Sequence, residues 1–293
     1  MKRIVTILVL LLVAAMAALS GCAAPRASEL PDPAPAPAPA PSLLKVHFID
    51  VGQGDAILIE TPAGQNMLVD AGENVYGSRV IDYLEAQGVK RLDVVVGTHT
   101  HSDHIGGMDM VIDHFPVGAV YMPEITQNTK SFRDVLMAVQ QAGLKVTSAK
   151  AGVEVPLDGI ECRILAPVKD YYEELNDYSV VLRLAYGRQT FLLTGDARTL
   201  TEGHLLANGA DVPATVLKVG HHGSYASSST RFLKAVGARY GVIMLGKDND
   251  YGYPHDSALQ RLRQTGMQIY RTDQNGSIVF STDGKDLQVT TER

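Results

Sequence analysis

Residues 92–104 read LDVVVGTHTHSDH. Leu92 to Val96 form a nearly continuous apolar, β-branched run, the pattern of a strand buried on both faces. Directly after it come His99, His101, Asp103 and His104. In a loop following a buried strand, the spacing His-x-His-x-Asp-His can turn all four side chains toward one point. Imidazole and carboxylate suit zinc, manganese or iron. Two ions about 3.5–4 Å apart could share such a cluster, as in two-metal hydrolases. Three of the nine histidines fall within these six residues, with an aspartate among them, which sets the segment apart from a solvated polar loop.

The surrounding sequence alternates strand and helix signals. KVHFIDV, AILIET and NMLVDAG are short β-rich runs punctuated by Gly and Pro. SRVIDYLEAQGV has helical spacing and stops at a glycine; GGMDMVIDHF and KSFRDVLMAVQQAG also read as helices. VGAVYM, LKVTSA and IECRILAP read as strands. The second half has a similar make-up, with YSVVLRLAYG and QTFLLTGDA as a hairpin pair and a helix around TLTEGHLLAN. The strand TVLKVG follows, then helices at TRFLKAVGA and DSALQRLRQTG around YGVIMLG, and closing strands MQIYRT, GSIVFST and DLQVTT. Strands and helices in two similar halves predict an α/β fold of two sheets packed face to face with helices outside. No short-period repeat is visible.

The first residues stand apart. Lys2 and Arg3 precede an apolar run from Ile4 to Leu19 that ends at Leu19-Ser20-Gly21-Cys22, which reads as a secretory signal (residues 1–21) rather than a membrane span. The Leu-Ser-Gly-Cys ending resembles a bacterial lipobox, in which Cys22 is lipidated. Residues 22–42 hold a Pro/Ala-rich stretch with too little apolar surface for a core, a semi-rigid tether. That leaves residues 43–293 for one domain with a sizeable core, outside the cytoplasmic membrane and anchored to its outer face. The only other cysteine, Cys162, sits in an apolar run and is expected to be a buried thiol without a disulfide. The net charge of −6 argues against a purely charge-driven nucleic-acid binder, though not against a local basic groove. Arg183, Arg188, Lys218 and Lys247 could supply phosphate contacts or belong to the solvated surface, and no aromatic–basic interleaving suggests single-strand stacking.

His-x-His-x-Asp-His is the signature of the metallo-β-lactamase superfamily, and the chain resembles that family from about residue 44 to 285. The fold it implies is the αββα sandwich of two mixed sheets. More specifically, FIDVGQGDAILIETPAG, THTHSDHIGG, NDYSVVLRL, FLLTGDA, LKVGHHGSYASSS and YGYPHD together resemble the extracellular hydrolase domain of ComEC-type competence proteins. The phosphorylcholine esterases of Gram-positive cell surfaces are related by motif.

The resemblance implies roles for individual residues. Asp70 orients a metal ligand. His99 and His101 bind a first divalent ion; Asp103 and His104 bind a second, with one histidine of the His221–His222 pair; Asp196 bridges the two. Carried over from the phosphorylcholine esterases, His222 is the ligand and His221 an acid or phosphate contact. Asp103 or Asp196 can orient a metal-bound hydroxide as the nucleophile, and His255 supplies a further proton or phosphate contact unless it is a structural histidine after Pro254. Gly223 and Ser224 can donate hydrogen bonds to a phosphate. Gln53 and Asp55, in a tight glycine turn, serve either structure or substrate positioning. The superfamily's usual third histidine of the first site is missing: His114, the only histidine between Asp113 and Asp196, reads as a surface or capping residue, and Asn176 and Ser179 stand at the expected place. The first site is therefore expected to be the weaker one.

A bound dication lowers the pKa of its water from 15.7 to about 7, making hydroxide available at neutral pH. Zinc and manganese both remain open. The ComEC-type resemblance implies a phosphodiesterase or nuclease acting on extracellular DNA. The alternatives are a cell-surface phosphodiester hydrolase such as a phosphorylcholine esterase, a β-lactamase, and a non-catalytic binding lipoprotein on the same fold.

Overall fold

The structure, a computed structural model, describes residues 43–293. The expected signal peptide, Cys22 and the Pro/Ala tether lie outside the described residues. Among the described residues no helix is long and apolar enough to cross a membrane.

Two mixed sheets form the centre. The first contains β1 (Leu44–Phe48), β2 (Ile57–Glu60), β3 (Asn66–Val69), β4 (Leu92–Val96), β5 (Val117–Met122), β6 (Val146–Ser148), β13 (Ile278–Thr282) and β14 (Leu287–Thr291), in the order β14-β13-β1-β2-β3-β4-β5-β6. The second contains β7 (Glu161–Ala166), β8 (Val181–Tyr186), β9 (Gln189–Leu193), β10 (Val216–Lys218), β11 (Tyr240–Ile243) and β12 (Gln268–Arg271), in the order β12-β11-β10-β9-β8-β7. Strands β3 to β6 run parallel, as do β9 to β12; the remaining pairs are antiparallel.

The apolar run of β4 shows why the layers form. Val94 and Val96 pack between the sheets, while Val95 packs on the opposite face. In β9, Phe191 and Leu193 face the other sheet and Leu192 faces helices. Each such side chain gains about 1.5–3 kcal/mol on full burial. Helices α1 (Gly77–Ala86), α3 (Met108–His114) and α4 (Lys130–Gln141) cover the first sheet. Helices α5 (Thr199–Ala207), α6 (Thr230–Val236) and α7 (Asp256–Gln264) cover the second. Helix α4 starts where the Thr129 hydroxyl accepts the Phe132 N–H, and buries Phe132, Val135, Ala138 and Val139, one helical stripe. Cys162 is buried on β7, and burial pushes its thiol up to about 12. The fold is the expected αββα sandwich.

Short turns depart from the expected pattern. The segment read as a loop contains one helical turn, α2 (Ser102–Ile105), closed by Ile105 N–H donating to the His101 carbonyl at 3.1 Å. Another four-residue turn, α8 (Thr272–Asn275), follows β12.

Candidate metal centre

The ends of parallel strands build the site. Asp70 follows β3, the His99–His104 segment follows β4, Asp196 follows β9, the two histidines follow β10, and Met244 follows β11. Carboxyl ends of strands are where open α/β sheets present ligand sites. The backbone is strained at three of these residues: Asp70 (φ 59°), His221 (φ 50°) and His222 (φ 52°) all lie in the left-handed region without being glycine. Each such residue costs about 1–3 kcal/mol and persists only where surrounding structure holds it. Gly54 is obligatory for packing, since a Cβ there would collide with the Asp103 carbonyl, the acceptor of the Asp55 N–H at 3.1 Å.

Asp103, His104, Asp196 and His222 bring their ligand atoms together within 4.8 Å. Nε2 of His104 lies 3.3 Å from Nε2 of His222. The other ring nitrogens are already committed. His104 Nδ1–H donates to Asp70 Oδ2 at 2.8 Å, and His222 Nδ1–H donates to the Met244 carbonyl at 2.8 Å. Those partners fix the tautomers, so in the neutral rings two Nε2 lone pairs face each other. Asp196 Oδ1 sits 3.3 and 3.5 Å from the same two nitrogens, and Asp103 Oδ2 sits 3.2 Å from His222 Nε2. Two facing lone pairs and two carboxylates surround a space suited to a cation. Asp70 is fully buried behind it, accepting from Thr98 N–H and Thr98 Oγ–H at 2.7 Å each.

A second group adjoins the first. His99 Nε2 lies 3.0 Å from His101 Nδ1 and 3.9 Å from Asp196 Oδ2. His221 Nε2 lies 3.7 Å from the same oxygen. Asp196 thus turns one oxygen to His104 and His222 and the other to His99 and His221. Its backbone N–H donates to the fully buried Ser179 hydroxyl at 3.1 Å, so Ser179 fixes the aspartate.

The electrostatics also call for positive charge. Burial alone would discharge His222, yet Asp196 and Asp103 outweigh it and push its pKa up to about 10. His104 is likewise held well above the ordinary histidine range, against its burial, by Asp196, Asp103 and Asp70. Asp196 is held well below the carboxylate range against its own burial, chiefly by His222 and His104. His99 is driven well below its usual value by burial and by His104. A divalent ion would replace the protons that these imidazoles otherwise hold. The residues therefore fit the metal centre that the motif implies.

Around the cluster the expected residues divide. His221 is bonded by Asn176 Nδ2 at 3.3 Å and lies 3.0 Å from the Tyr253 hydroxyl. His255 is at the rim: its Nδ1 accepts the Tyr225 N–H at 3.1 Å, and no hydrogen bond joins it to the cluster among the described residues. Gly223 packs so tightly on Pro254 that a Cβ would approach to 2.6 Å, and Ser224 is buried with its hydroxyl accepting the Ala226 N–H. Gln53 Oε1 accepts the Gly246 N–H at 3.3 Å beside a neighbouring cleft. His114 is a surface residue bonded to Glu85 at 2.9 Å, as expected.

Lys218 requires a correction. Lys218 is neither a phosphate contact nor a surface residue. It is fully buried, pairs with Asp55 Oδ2 at 2.7 Å and donates to the Gly195 carbonyl at 3.3 Å. Asp55 is 1% exposed, and its other oxygen lies 3.5 Å from His222 Nδ1. The pair supports the metal centre from behind, which gives Asp55 a structural role. Arg183 pairs with Asp211 at 3.0 Å, and Arg188 precedes the start of β9, whose far end leads to Asp196. Neither flanks the cluster. Thr98 and Tyr253 lie inside the motifs THTHSDHIGG and YGYPHD without an assigned role, and no sequence signal marks the Met244 carbonyl as part of the site. A charged residue inside the apolar run TVLKVG is the one available signal for Lys218.

Comparison with known proteins places this geometry. Residues 49–247 match the model of the metallo-beta-lactamase superfamily. The chain is 30% identical to ComE operon protein 3 of Bacillus subtilis over 253 residues, 80% of this chain and 33% of that protein. It is 33% identical to competence protein ComA of Neisseria gonorrhoeae over 235 residues, 79% of this chain and 31% of that protein. It therefore spans about a third of the length of these curated relatives. Among solved structures it is similar to the metallo-beta-lactamase fold protein YhfI from Bacillus subtilis, with a TM-score of 0.56 at 15% identity, covering 82% of this chain and all of that one.

Proposed function

The chain belongs to the metallo-beta-lactamase superfamily, and from that membership we propose that it is a two-metal phosphodiesterase acting on DNA. One observation carries the two-metal reading: the two oxygens of buried Asp196 face separate histidine groups. Asp103, His104, His222 and Asp196 Oδ1 would hold one ion, and His99, His101 and Asp196 Oδ2 the other. The ions would supply a nucleophile from water at neutral pH and stabilise charge on phosphoryl oxygens. Zinc and manganese both suit this donor set.

The chain's own groups would do the rest. Asp70 and the Met244 carbonyl hold the His104 and His222 rings in the tautomers that present Nε2 to a metal. Asp103, 3.2 Å from His222 Nε2, would help orient the attacking water. Burial lowers the His221 pKa, which favours a neutral imidazole that hydrogen-bonds a phosphate oxygen, with Asn176 and Tyr253 setting its orientation. The choice of a phosphodiester, and of DNA, rests on likeness to competence proteins.

The test is hydrolysis of bis-p-nitrophenyl phosphate and of linear DNA with manganese and with zinc. Both substrates are expected to be cleaved, and His101→Ala to lower both rates by at least about 10²-fold. No turnover with either metal would refute the phosphodiesterase reading. We further propose that the protein acts outside the cytoplasmic membrane, held there by lipid at Cys22. Cys22→Ser is then expected to move it from the membrane fraction to the soluble fraction, and unchanged fractionation would refute the anchor.

A further inference from the structure

A column of aromatic rings rises from the metal centre to the surface. The Tyr253 ring lies 5.9 Å from His222, tilted by 31°. Tyr251 stacks on Tyr253 at 5.3 Å, with only 11° between the planes. Tyr251 is 58% exposed, so the column ends in a flat ring open to solvent. Stacking on an exposed aromatic ring is how unpaired bases are held without sequence readout.

Tyr251 also stands between two clefts that differ in charge. The cleft of about 420 Å³ on one side is lined by His221, Asn176, Arg198 and Tyr225. Its one carboxylate, Glu174, is paired at 3.4 Å with Arg198, which also meets buried Asp177 at 3.7 Å, so the cleft presents no free carboxylate. The cleft of about 780 Å³ on the other side is lined by Glu73, Asp248 and Asp250, none of which forms an ion pair among the described residues, against the single unpaired cation Lys247. Carboxylates with no counter-charge repel a phosphate chain. A polynucleotide can therefore lie on the Arg198 side but is opposed on the Glu73 side.

We propose that this site takes the unpaired end of a nucleic-acid strand, with the terminal base stacked on Tyr251 and the acidic cleft barring any continuation of the backbone. This rests on the DNA reading above and adds that cleavage is terminal. Water adds to phosphorus, the P–O bond toward the terminal unit breaks, and the departing oxygen takes up a proton. The parallel Tyr251–Tyr253 stack leaves the outer face of Tyr251 as a flat surface on which a base can stack.

The experiment compares a short linear single-stranded oligodeoxynucleotide with the same sequence closed into a circle, using the full-length protein and manganese, with bis-p-nitrophenyl phosphate alongside. The linear strand is expected to shorten stepwise from one end, and the circle to be cut at least tenfold more slowly. Tyr251→Ala is expected to slow the linear reaction about tenfold, and Tyr251→Phe, which keeps the ring, to restore it. Glu73→Gln with Asp250→Asn is expected to raise cutting of the circle. Equal rates on circle and line, or no effect of Tyr251→Ala, would overturn the proposal while leaving the DNA reading standing. Turnover of the small diester without cleavage of either DNA would remove the DNA reading and this proposal with it. Turnover of a phosphorylcholine ester but of neither DNA would reassign the Tyr251 face to a cation and likewise overturn it.

Discussion

Asp196→Asn is expected to lower turnover of a small phosphodiester by at least about 10³-fold. Asparagine keeps the shape and the backbone N–H bond to Ser179, so the loop after β9 stays in place. It removes the one group whose two oxygens reach both halves of the centre. The amide also turns an NH2 donor toward either His104 and His222 or His99 and His221, where acceptors for a cation are needed. The comparison is made at saturating metal on bis-p-nitrophenyl phosphate. Activity within tenfold of the wild type would mean that Asp196 does not bridge.

The second large effect lies behind the cluster. Lys218→Met leaves the Asp55 carboxylate buried without its ammonium partner, 3.5 Å from His222 Nδ1. Removing one member of a buried pair typically costs about 3–5 kcal/mol. In a domain of this size, 1 kcal/mol corresponds to about 2–4 °C, so a drop in melting temperature of roughly 10 °C is expected. The double variant Lys218→Met with Asp55→Leu is expected to recover a large part of that loss, because an apolar pair can replace a buried ionic one at little cost. Thermal denaturation followed by circular dichroism decides it. A single variant that melts within about 2 °C of the wild type would show that the pair carries no structural burden.

Legibility in the sequence follows distance along the chain. His99, His101, Asp103 and His104 fall within six residues, so their convergence can be read from spacing once β4 is recognised as a buried strand. Asp70 and Asp196 are legible only through the family resemblance carried by LVDAG and FLLTGDA. Strand and helix positions follow their periodicities, since most strands bury alternate residues between the sheets. What escapes is pairing across the fold. Lys218 meets Asp55 163 positions away in sequence, and the apolar run TVLKVG around the lysine hints at burial without naming its partner. The aromatic column shows the same limit: Tyr251 and Tyr253 are near neighbours, but their alignment over His222 exists only once the loop after β11 folds back on the loop after β10. The four-residue helix α2 reads as a loop because so short a turn has no apolar period to betray it.

A calorimetric titration of manganese, and separately of zinc, into the metal-free protein tests the two-metal centre most directly. Two ions per chain are expected, falling to one in His222→Ala, which removes a nitrogen from only one half of the centre. No binding in the wild type, or an unchanged stoichiometry of two in His222→Ala, would contradict the assignment of this cluster as a two-metal site.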